Sequence, residues 1–473
     1  MKKSSTPKKI FLMMQLSFVE SNYALVSEVD VLVVGGGTAG AVAGIASARE
    51  SVTTMIVEQS GFLGGTQTGA LVTPMMPNQI DGKPLNRGLD WEINSRLVEL
   101  SESGTWSDGN RGWFNPEALK MVLEEMAVEA GAELLYYTMF DDAVMDGQTI
   151  VGITVLNKAG RGWISAKRII DATGDADVAF RAGVPCFSGD EVSGVHQSLS
   201  VRFSIGNVNL KRLVEFLKSL GKLEVVEQTD GSSVPLIHTA MVWGKGWPLE
   251  PIFRKAVDDG VLLEDDGNYF QAFSVAGRPG ELFFNCPRIA GNMDGTNPVH
   301  LSRAQVAGHK AIRRYLNFCR KYLPGCEEAS LVSLANMVGV RESRRIHGEY
   351  LLTAEDVLQG RKFDDAIARN NYPIDIHRAD EAGVKLIHLP LGTYHEIPYR
   401  CLVPKKVENL LVAGRSLSAT FEAQGSVRIQ SNCRAMGEAA AIGSVLSLRE
   451  GTSPRKIDGK KVREILRAHG ANL

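Results

Sequence analysis

The feature that most constrains this chain is a valine-rich run over residues 29–34, broken only by Asp30, that stops at Gly35-Gly36-Gly37-Thr38-Ala39-Gly40. It continues in small residues through Ala41, Val42, Ala43, Gly44, Ile45 and Ala46. A buried strand feeding a helix of small side chains reads as half of a βαβ unit, because such a helix sits close on a sheet. Residues 53–57 supply the second strand, which ends at Glu58. In this context Gly35-x-Gly37-x-x-Gly40 is a dinucleotide fingerprint. Gly35 permits the tight turn, Gly37 lets a pyrophosphate approach the backbone, and Gly40 allows close helix–strand packing. The helix N-terminus offers unpaired N–H groups and a positive dipole end to phosphates. Glu58 stands where a carboxylate accepts both ribose hydroxyls and repels a 2′-phosphate. A glycine-rich turn without a ligand is the bland alternative, and the strand, helix and acid together argue against it.

Downstream, Asn115 and Pro116 open an amphipathic helix over 116–130, with Leu119, Val122, Leu123 and Met126 on one face. A strand at 134–139 precedes runs at 143–145, 150–156 and 163–165, divided by Asp146-Gly147 and Ala159-Gly160 into a β-meander. Residues 169–172 form another buried strand, which enters Thr173-Gly174-Asp175. From 201 to 330 this rhythm is lost. Amphipathic helices at 210–220 and 303–322, aromatics and loops rich in Gly and Pro predict a separate domain there. Strand signal returns at 337–350 and 409–412, followed by Gly414 and a helix of small residues over 428–448. The fold class is therefore α/β, a Rossmann-type domain with a β-meander and an inserted substrate or cap domain. The expected divisions are an extension over 1–27, a nucleotide-binding domain over 28–200 and 331–450, the cap over 201–330, and a tail over 451–473.

Composition removes several classes. With 52 Lys and Arg against 54 Asp and Glu the net charge is -2, which argues against nucleic acid as a partner. The six cysteines (Cys186, Cys286, Cys319, Cys326, Cys401 and Cys433) show no CxxC or CxxxxC spacing, so no redox relay, iron–sulfur cluster or cysteine zinc site is expected. The nine histidines form no HxH or HxxxH pair, and no metal is expected. No run reaches the roughly 18 apolar residues of a transmembrane segment. Lys2, Lys3, Lys8 and Lys9 precede an apolar run over 10–19 and then Ser21-Asn22-Tyr23-Ala24, which resembles a secretory signal. Gln15 and Ser17 interrupt that run. A cytoplasmic protein with a short extension is the preferred reading, with export as the alternative.

Three further glycine turns favour a cofactor longer than NAD. Gly61-Phe62-Leu63-Gly64-Gly65-Thr66 follows Glu58, and Thr173-Gly174 and Gly414 each end a later strand. Three strand ends meeting one ligand suit an extended FAD. Five segments carry the pattern: VLVVGGGTAGAVAGIASA with Glu58, IIDATGDADVAFRAGVP, GVRESRRIHGEYLLTAEDV, IPYRCLVPKKVENLLVAGRSLSAT and RAMGEAA. In these the sequence resembles the FAD-dependent oxidoreductases of the glutathione-reductase-like fold, in the branch near fumarate reductase flavoproteins and thiazole-forming proteins. The resemblance implies FAD held by Gly35, Gly37, Gly40, Glu58, Gly65, Thr66, Thr173, Gly174 and Gly414, with the backbone of Phe140 beside the adenine. It also implies that the final helix points its N-terminus at the flavin. Glu438 stands where this branch commonly has glutamine.

No second GxGxxG follows a strand, so no built-in NAD(P)H domain is expected. Electrons should then pass between a small-molecule substrate and the flavin, with oxygen, a quinone or a carrier protein completing the cycle. The densest polar segment is Gly339-Val340-Arg341-Glu342-Ser343-Arg344-Arg345-Ile346-His347. Read as a strand, it places Arg341, Ser343, Arg345 and His347 on one face. Arginines there could hold an anionic group bidentately, the alternative being an internal ion-pair network with Glu342. His377 and His395 are candidates to move a proton near neutral pH, against a satisfied structural role for either. Arg428, after a segment expected to be flexible, Glu422-Ala423-Gln424-Gly425-Ser426, is expected to face the substrate or the flavin phosphates, and His196 and Gln197, at the insert boundary, are weaker candidates. The expected catalytic set is Arg341, Arg345, His377 and Arg428. Hydroxy acid, sugar and amine substrates all stay open. The rival is a non-redox protein that uses NAD or FAD as substrate or structural ligand.

Overall fold

A computed structural model describes residues 16–103, 112–221, 224–226, 236–241, 243–381 and 383–473. The lysines of the N-terminal segment and most of its apolar run lie outside the described residues. The first βαβ unit forms where its sequence pattern places it: β1 (Ala24–Val34), α1 (Thr38–Arg49) and β2 (Thr54–Val57). Helices α2 (Leu89–Glu99) and α3 (Pro116–Ala130) follow. Helix α3 begins as its capping residues predict, with the Asn115 side chain accepting from Glu117 N, and it ends at left-handed Gly131. Then come β3 (Glu133–Leu135), β4 (Met139–Asp146), β5 (Thr149–Asn157) and β6 (Gly160–Asp171). The runs read separately at 163–165 and 169–172 are one 12-residue strand, β6. Its first half pairs antiparallel with β5 on one side while residues 162–171 run parallel to β1 on the other, so one strand joins the meander to the nucleotide-binding sheet.

The second sheet comprises β7 (Phe203–Gly206), β8 (Glu224–Val226), β9 (Leu236–Met241), β10 (Phe270–Phe273), β11 (Leu282–Phe284) and β12 (Ser330–Leu334). All its pairings are antiparallel, in the order β8-β9-β10-β11-β7-β12. Helices α4 (Leu210–Ser219), α5 (Glu250–Asp258) and α6 (Pro298–Tyr322) accompany it. Its core is aromatic. Phe203, Phe253, Phe270, Phe284 and Phe318 are buried, and the Phe203 and Phe284 rings stack at 4.3 Å. Each such ring is worth roughly 1.5–3 kcal/mol of burial.

The chain then returns to the first sheet as β13 (Leu410–Val412), followed by α7 (Phe421–Val427), α8 (Gln430–Arg449) and α9 (Gly459–Ala468). The complete order is β3-β2-β1-β6-β5-β4, with β13 alongside β6. Register aligns the strand ends: Val34 lies opposite Val57 and Asp171, Val57 opposite Leu135, and Val412 opposite Asp171. Glu58 and the turns at Gly35, Gly174 and Gly414 therefore emerge along one carboxyl edge, where open α/β sheets bind ligands. Helix α8 packs on α1 so closely that a Cβ on Gly437 would lie 2.1 Å from the Ala39 carbonyl oxygen.

Two local expectations fail. The 337–350 segment contributes only the short strand Arg345–Ile346, paired with Cys186–Phe187. Its consecutive polar side chains reach different partners and prevent a ladder. Residues 422–426 are not flexible but lie inside helix α7, capped by Thr420 and largely buried. Among the described residues, no helix is long and apolar enough to cross a membrane.

Candidate active site

The glycine turn is built by close approach of backbone. Gly35 has φ +94°, and a Cβ there would lie 2.6 Å from the Ala172 carbonyl oxygen. One on Gly40 would lie 1.8 Å from the Gly35 carbonyl oxygen. Gly37 differs: its nearest neighbour would be 3.8 Å away, at Gly65 Cα. It stays partly exposed, as do Thr38, Gly65 and Thr66. The second glycine cluster is fastened to the first, since Gly64 N donates to Gly36 O at 2.8 Å. Helix α1 starts with no side-chain cap and no acid in its first turn, which leaves its positive end available to phosphate. Glu58 Oε2 accepts Gly36 N at 2.8 Å and Oε1 accepts Ser60 N at 2.7 Å. Each oxygen keeps further acceptor capacity for a ribose hydroxyl.

Across the sheet edge, Asp171 Oδ1 accepts both the amide and the hydroxyl of Thr173, and Oδ2 accepts Ala179 N. Burial lifts the Asp171 carboxyl to about 6 against those hydrogen bonds. The Gly174 carbonyl accepts Arg415 Nε at 2.6 Å and Ser416 Oγ at 2.8 Å, which ties the turn after β6 to the one after β13. Gly174 and Gly414 have φ of +81° and +96°. Phe140 lies on β4 opposite Val155. A partly exposed glycine turn, an uncapped helix start and a carboxylate at the end of β2 fit the pyrophosphate and ribose of a dinucleotide.

A second feature is a buried polar cluster that the sequence does not bring together. His377 Nε2 lies 3.1 Å from Asp375 Oδ1, so the tautomer protonated at Nε2 satisfies the pair, and His377 Nδ1 has no partner. Burial, with Arg341 close by, draws the imidazole down to about 4. Burial pushes the Asp375 carboxyl up, but His377 and Arg428 outweigh it and hold the group below the ordinary carboxylate range. Arg428 Nη2 lies 3.3 Å from Asp375 Oδ2, and Tyr372 donates to the same oxygen at 3.1 Å. Arg341 donates to Ser198 O at 2.6 Å. The Tyr269 ring stands edge-on to His377 with centroids 5.6 Å apart, and burial raises its hydroxyl to about 12. Arg202 reaches Leu71 O at 3.3 Å.

The cluster touches the cradle's own loop. Gln430, at the start of α8, accepts from Gln67 at 2.8 Å and donates to Val72 O. Gln424 donates to the Arg341 carbonyl at 3.1 Å and to the Arg415 carbonyl at 3.4 Å. Residues 66–72 are thus tied to the start of α8 through Gln430 and to the second sheet through Arg202, and Tyr269 joins that sheet to His377.

Of the expected catalytic set, Arg341, His377 and Arg428 come together, whereas Arg345 does not join them. Fully buried, Arg345 pairs with Glu342, with Glu191 at 3.0 Å, and with the carbonyls of Gly189 and Ala419. Its surroundings are the ion-pair alternative, and His196 completes them at 3.1 Å from Glu342. His395 takes the structural role, bonded to Asn370 at 2.9 Å. Sequence reading missed Arg202, Tyr269 and Asp375. Asp375 stands two residues before His377, a spacing that could have flagged it, while Arg202 and Tyr269 gain meaning only from the fold.

The profile of the FAD dependent oxidoreductase family matches residues 30–466. Over 164 residues the chain is 33% identical to the thiamine thiazole synthase of Methanococcus aeolicus, a match covering 32% of this chain and 57% of that one. The chain therefore spans a little over half the length of the curated relative it matches. Among solved structures, GidA of Aquifex aeolicus aligns over 90% of this chain and 64% of its own, at 13% identity and TM-score 0.47. The p-nitrophenol 4-monooxygenase of Pseudomonas putida aligns over 93% and 84%, at 9% identity and TM-score 0.46. The family match takes in both the glycine cradle and the buried cluster, and its cofactor, FAD, is the one the cradle fits. This chain belongs to the FAD dependent oxidoreductase family.

Proposed function

We propose that this chain transfers a hydride between a small polar organic substrate and bound FAD, with His377 exchanging the accompanying proton. The observation that carries this reading is the unpartnered Nδ1 of buried His377, in a cluster that abuts residues 66–72 and the start of α8. Gly37, Gly40 and Thr38 would hold the pyrophosphate, Glu58 the ribose, and the Phe140 backbone the adenine. Gly65, Thr66, Thr173, Gly174 and Gly414 would line the remainder. When bound, FAD supplies a two-electron acceptor or donor.

The other requirements fall to side chains of this chain. In the oxidative direction a substrate carbon gives up a C–H bond with its electron pair, and the adjoining O–H or N–H passes its proton to His377 Nδ1. Asp375 fixes the imidazole by accepting from Nε2, and Arg428 and Tyr372 fix Asp375 in turn. Tyr269 closes one edge of the ring against water. Oxygen, a quinone or a carrier protein completes the cycle.

The test is a visible spectrum of the purified protein before and after denaturation, followed by anaerobic addition of candidate alcohols, acids and amines. Flavin bands that bleach on addition of one of these support the reading. His377→Asn is expected to slow bleaching by about 10²–10⁴-fold with FAD retained. A colourless protein that takes up no FAD overturns it in favour of the non-redox rival.

A further inference from the structure

We propose that the substrate carries a carboxylate held among Arg202, Arg341 and Arg428, which narrows the substrate from hydroxy acid, sugar or amine to an organic acid. The proposal rests on the flavoenzyme reading above and deepens it.

The argument is one of charge balance in a buried place. Arg202 and Arg341 are 6% and 8% exposed. Their hydrogen bonds go to backbone carbonyls, Leu71 O and Ser198 O, and not to acids. Asp375 is the carboxylate bonded within the cluster, and Arg428, His377 and Tyr372 already engage it. The other fully buried arginines are treated differently. Arg345 has Glu342 and Glu191, and Arg434 has Asp90 at 3.0 Å. Buried cations are normally paired, because an uncompensated one is costly in a low-dielectric interior. Among the described residues, the cluster thus holds more positive than negative charge.

The electrostatics carry the same mark. Burial draws Arg341 down to about 9, with Arg428, Arg202 and Arg288 depressing it further, and burial draws Arg202 down to about 10. Arg288, half-buried beside them, donates to the carbonyls of Arg378, Glu381 and Gly383. Three polar nitrogens here lack partners: Arg202 Nε, Arg428 Nε and His377 Nδ1. A planar carboxylate accepts from guanidinium forks in pairs and supplies the charge they lack. A sugar would leave the excess charge in place, and a simple ammonium would add to it. The carboxylate also acts on the base. Because Arg341 helps to depress His377, an anion against Arg341 restores basicity to His377 when substrate is present.

The experiment titrates the FAD-loaded full chain with acetate, malonate and succinate, and with acetamide and succinamide, at constant ionic strength. Flavin absorbance and thermal unfolding are both read. The expected result is saturable binding of at least one carboxylate, preferred about tenfold or more over its amide. Arg341→Met and Arg202→Met should each weaken that binding about tenfold or more while FAD stays bound. Equal binding of acid and amide, or no binding of any of the three carboxylates, overturns the proposal. So does an Arg341→Met protein whose flavin spectrum or potential changes with carboxylate affinity intact, since the arginines would then serve the flavin. If either variant fails to fold, the acid-against-amide comparison on the unaltered protein still decides. A protein that holds no FAD overturns the parent reading and this proposal with it.

Discussion

The glycine cradle and the arginine cluster lie next to each other and are built on opposite plans. The cradle is made of backbone: turns at Gly35, Gly37, Gly65, Gly174 and Gly414, each at a strand end or helix start. Its glycines bring backbone to the sheet edge beside the Glu58 carboxylate and expose partial charges fixed by secondary structure. The cluster is made of long charged side chains from Arg202, Arg341, Asp375, His377 and Arg428, taken out of water and set against one another. A backbone site tolerates no added atoms but needs no counterion. A side-chain site has room for its groups but must balance their charge, and on the proposal above that balance would select what binds.

The largest effect should come from the arginine that looks as if it belongs to the cluster. Arg345→Met removes a fully buried cation from Glu342 and should cost about 3–5 kcal/mol of stability, visible in a denaturant melt. Arg341→Met should cost less in the same melt and should show itself in substrate binding. An Arg345→Met protein of undiminished stability that had lost turnover would erase the distinction between the two arginines.

Within the cradle, Gly40 and Gly37 should separate in the same way. Gly40→Ala forces a Cβ to 1.8 Å from a backbone oxygen and should cost about 3 kcal/mol or more. Gly37 has φ −70° and meets nothing closer than 3.8 Å, so Gly37→Ala should leave the melt nearly unchanged and lower FAD occupancy. Equal melts for the two would mean that packing does not set the turn.

Glu438 lies outside both regions and tests what an unbalanced buried acid does. It accepts Leu89 N at 3.2 Å, and burial, with Asp90 nearby, raises its carboxyl to about 7 from an ordinary 4.5. Between those values the folded chain holds a proton that the unfolded chain has released, so stability should fall as pH rises across that window. The full change is roughly 3 kcal/mol. Glu438→Gln should flatten this part of the stability–pH curve, and an unchanged slope would show that Glu438 ionises freely in the fold. The smallest effect expected is at Glu58. Glu58→Ala should weaken FAD binding by about 1–3 kcal/mol, measured by equilibrium release of flavin absorbance.

Much of the fold was legible because its signals are local. The run over 29–34, the Asn115-Pro116 helix start and the turns at Gly147 and Gly160 each decide their own conformation within a few residues. The polar stretch at 339–347 misled because alternation implies a strand only where a partner strand is available. Here Arg341 binds Ser198 and Arg344 binds Asp177, while Glu342 and Arg345 pair with each other and with Gly189, and the ladder gives way to them. Residues 422–426 misled because Gly425 and Ser426 suit loops in isolation, whereas burial against Asp375 and Ile376 makes a helix the conformation that satisfies their backbone.

By itself, the sequence determined the nucleotide cradle. A phosphate-binding turn needs only consecutive residues of defined φ and size, and these are written in order along the chain. The tertiary structure alone decided which charges meet. It brought Arg202 and Arg341 near Arg428, which pairs with Asp375, and sent Arg345 elsewhere, because Coulomb energy depends on distance and solvent exclusion, and neither is a property of neighbouring letters.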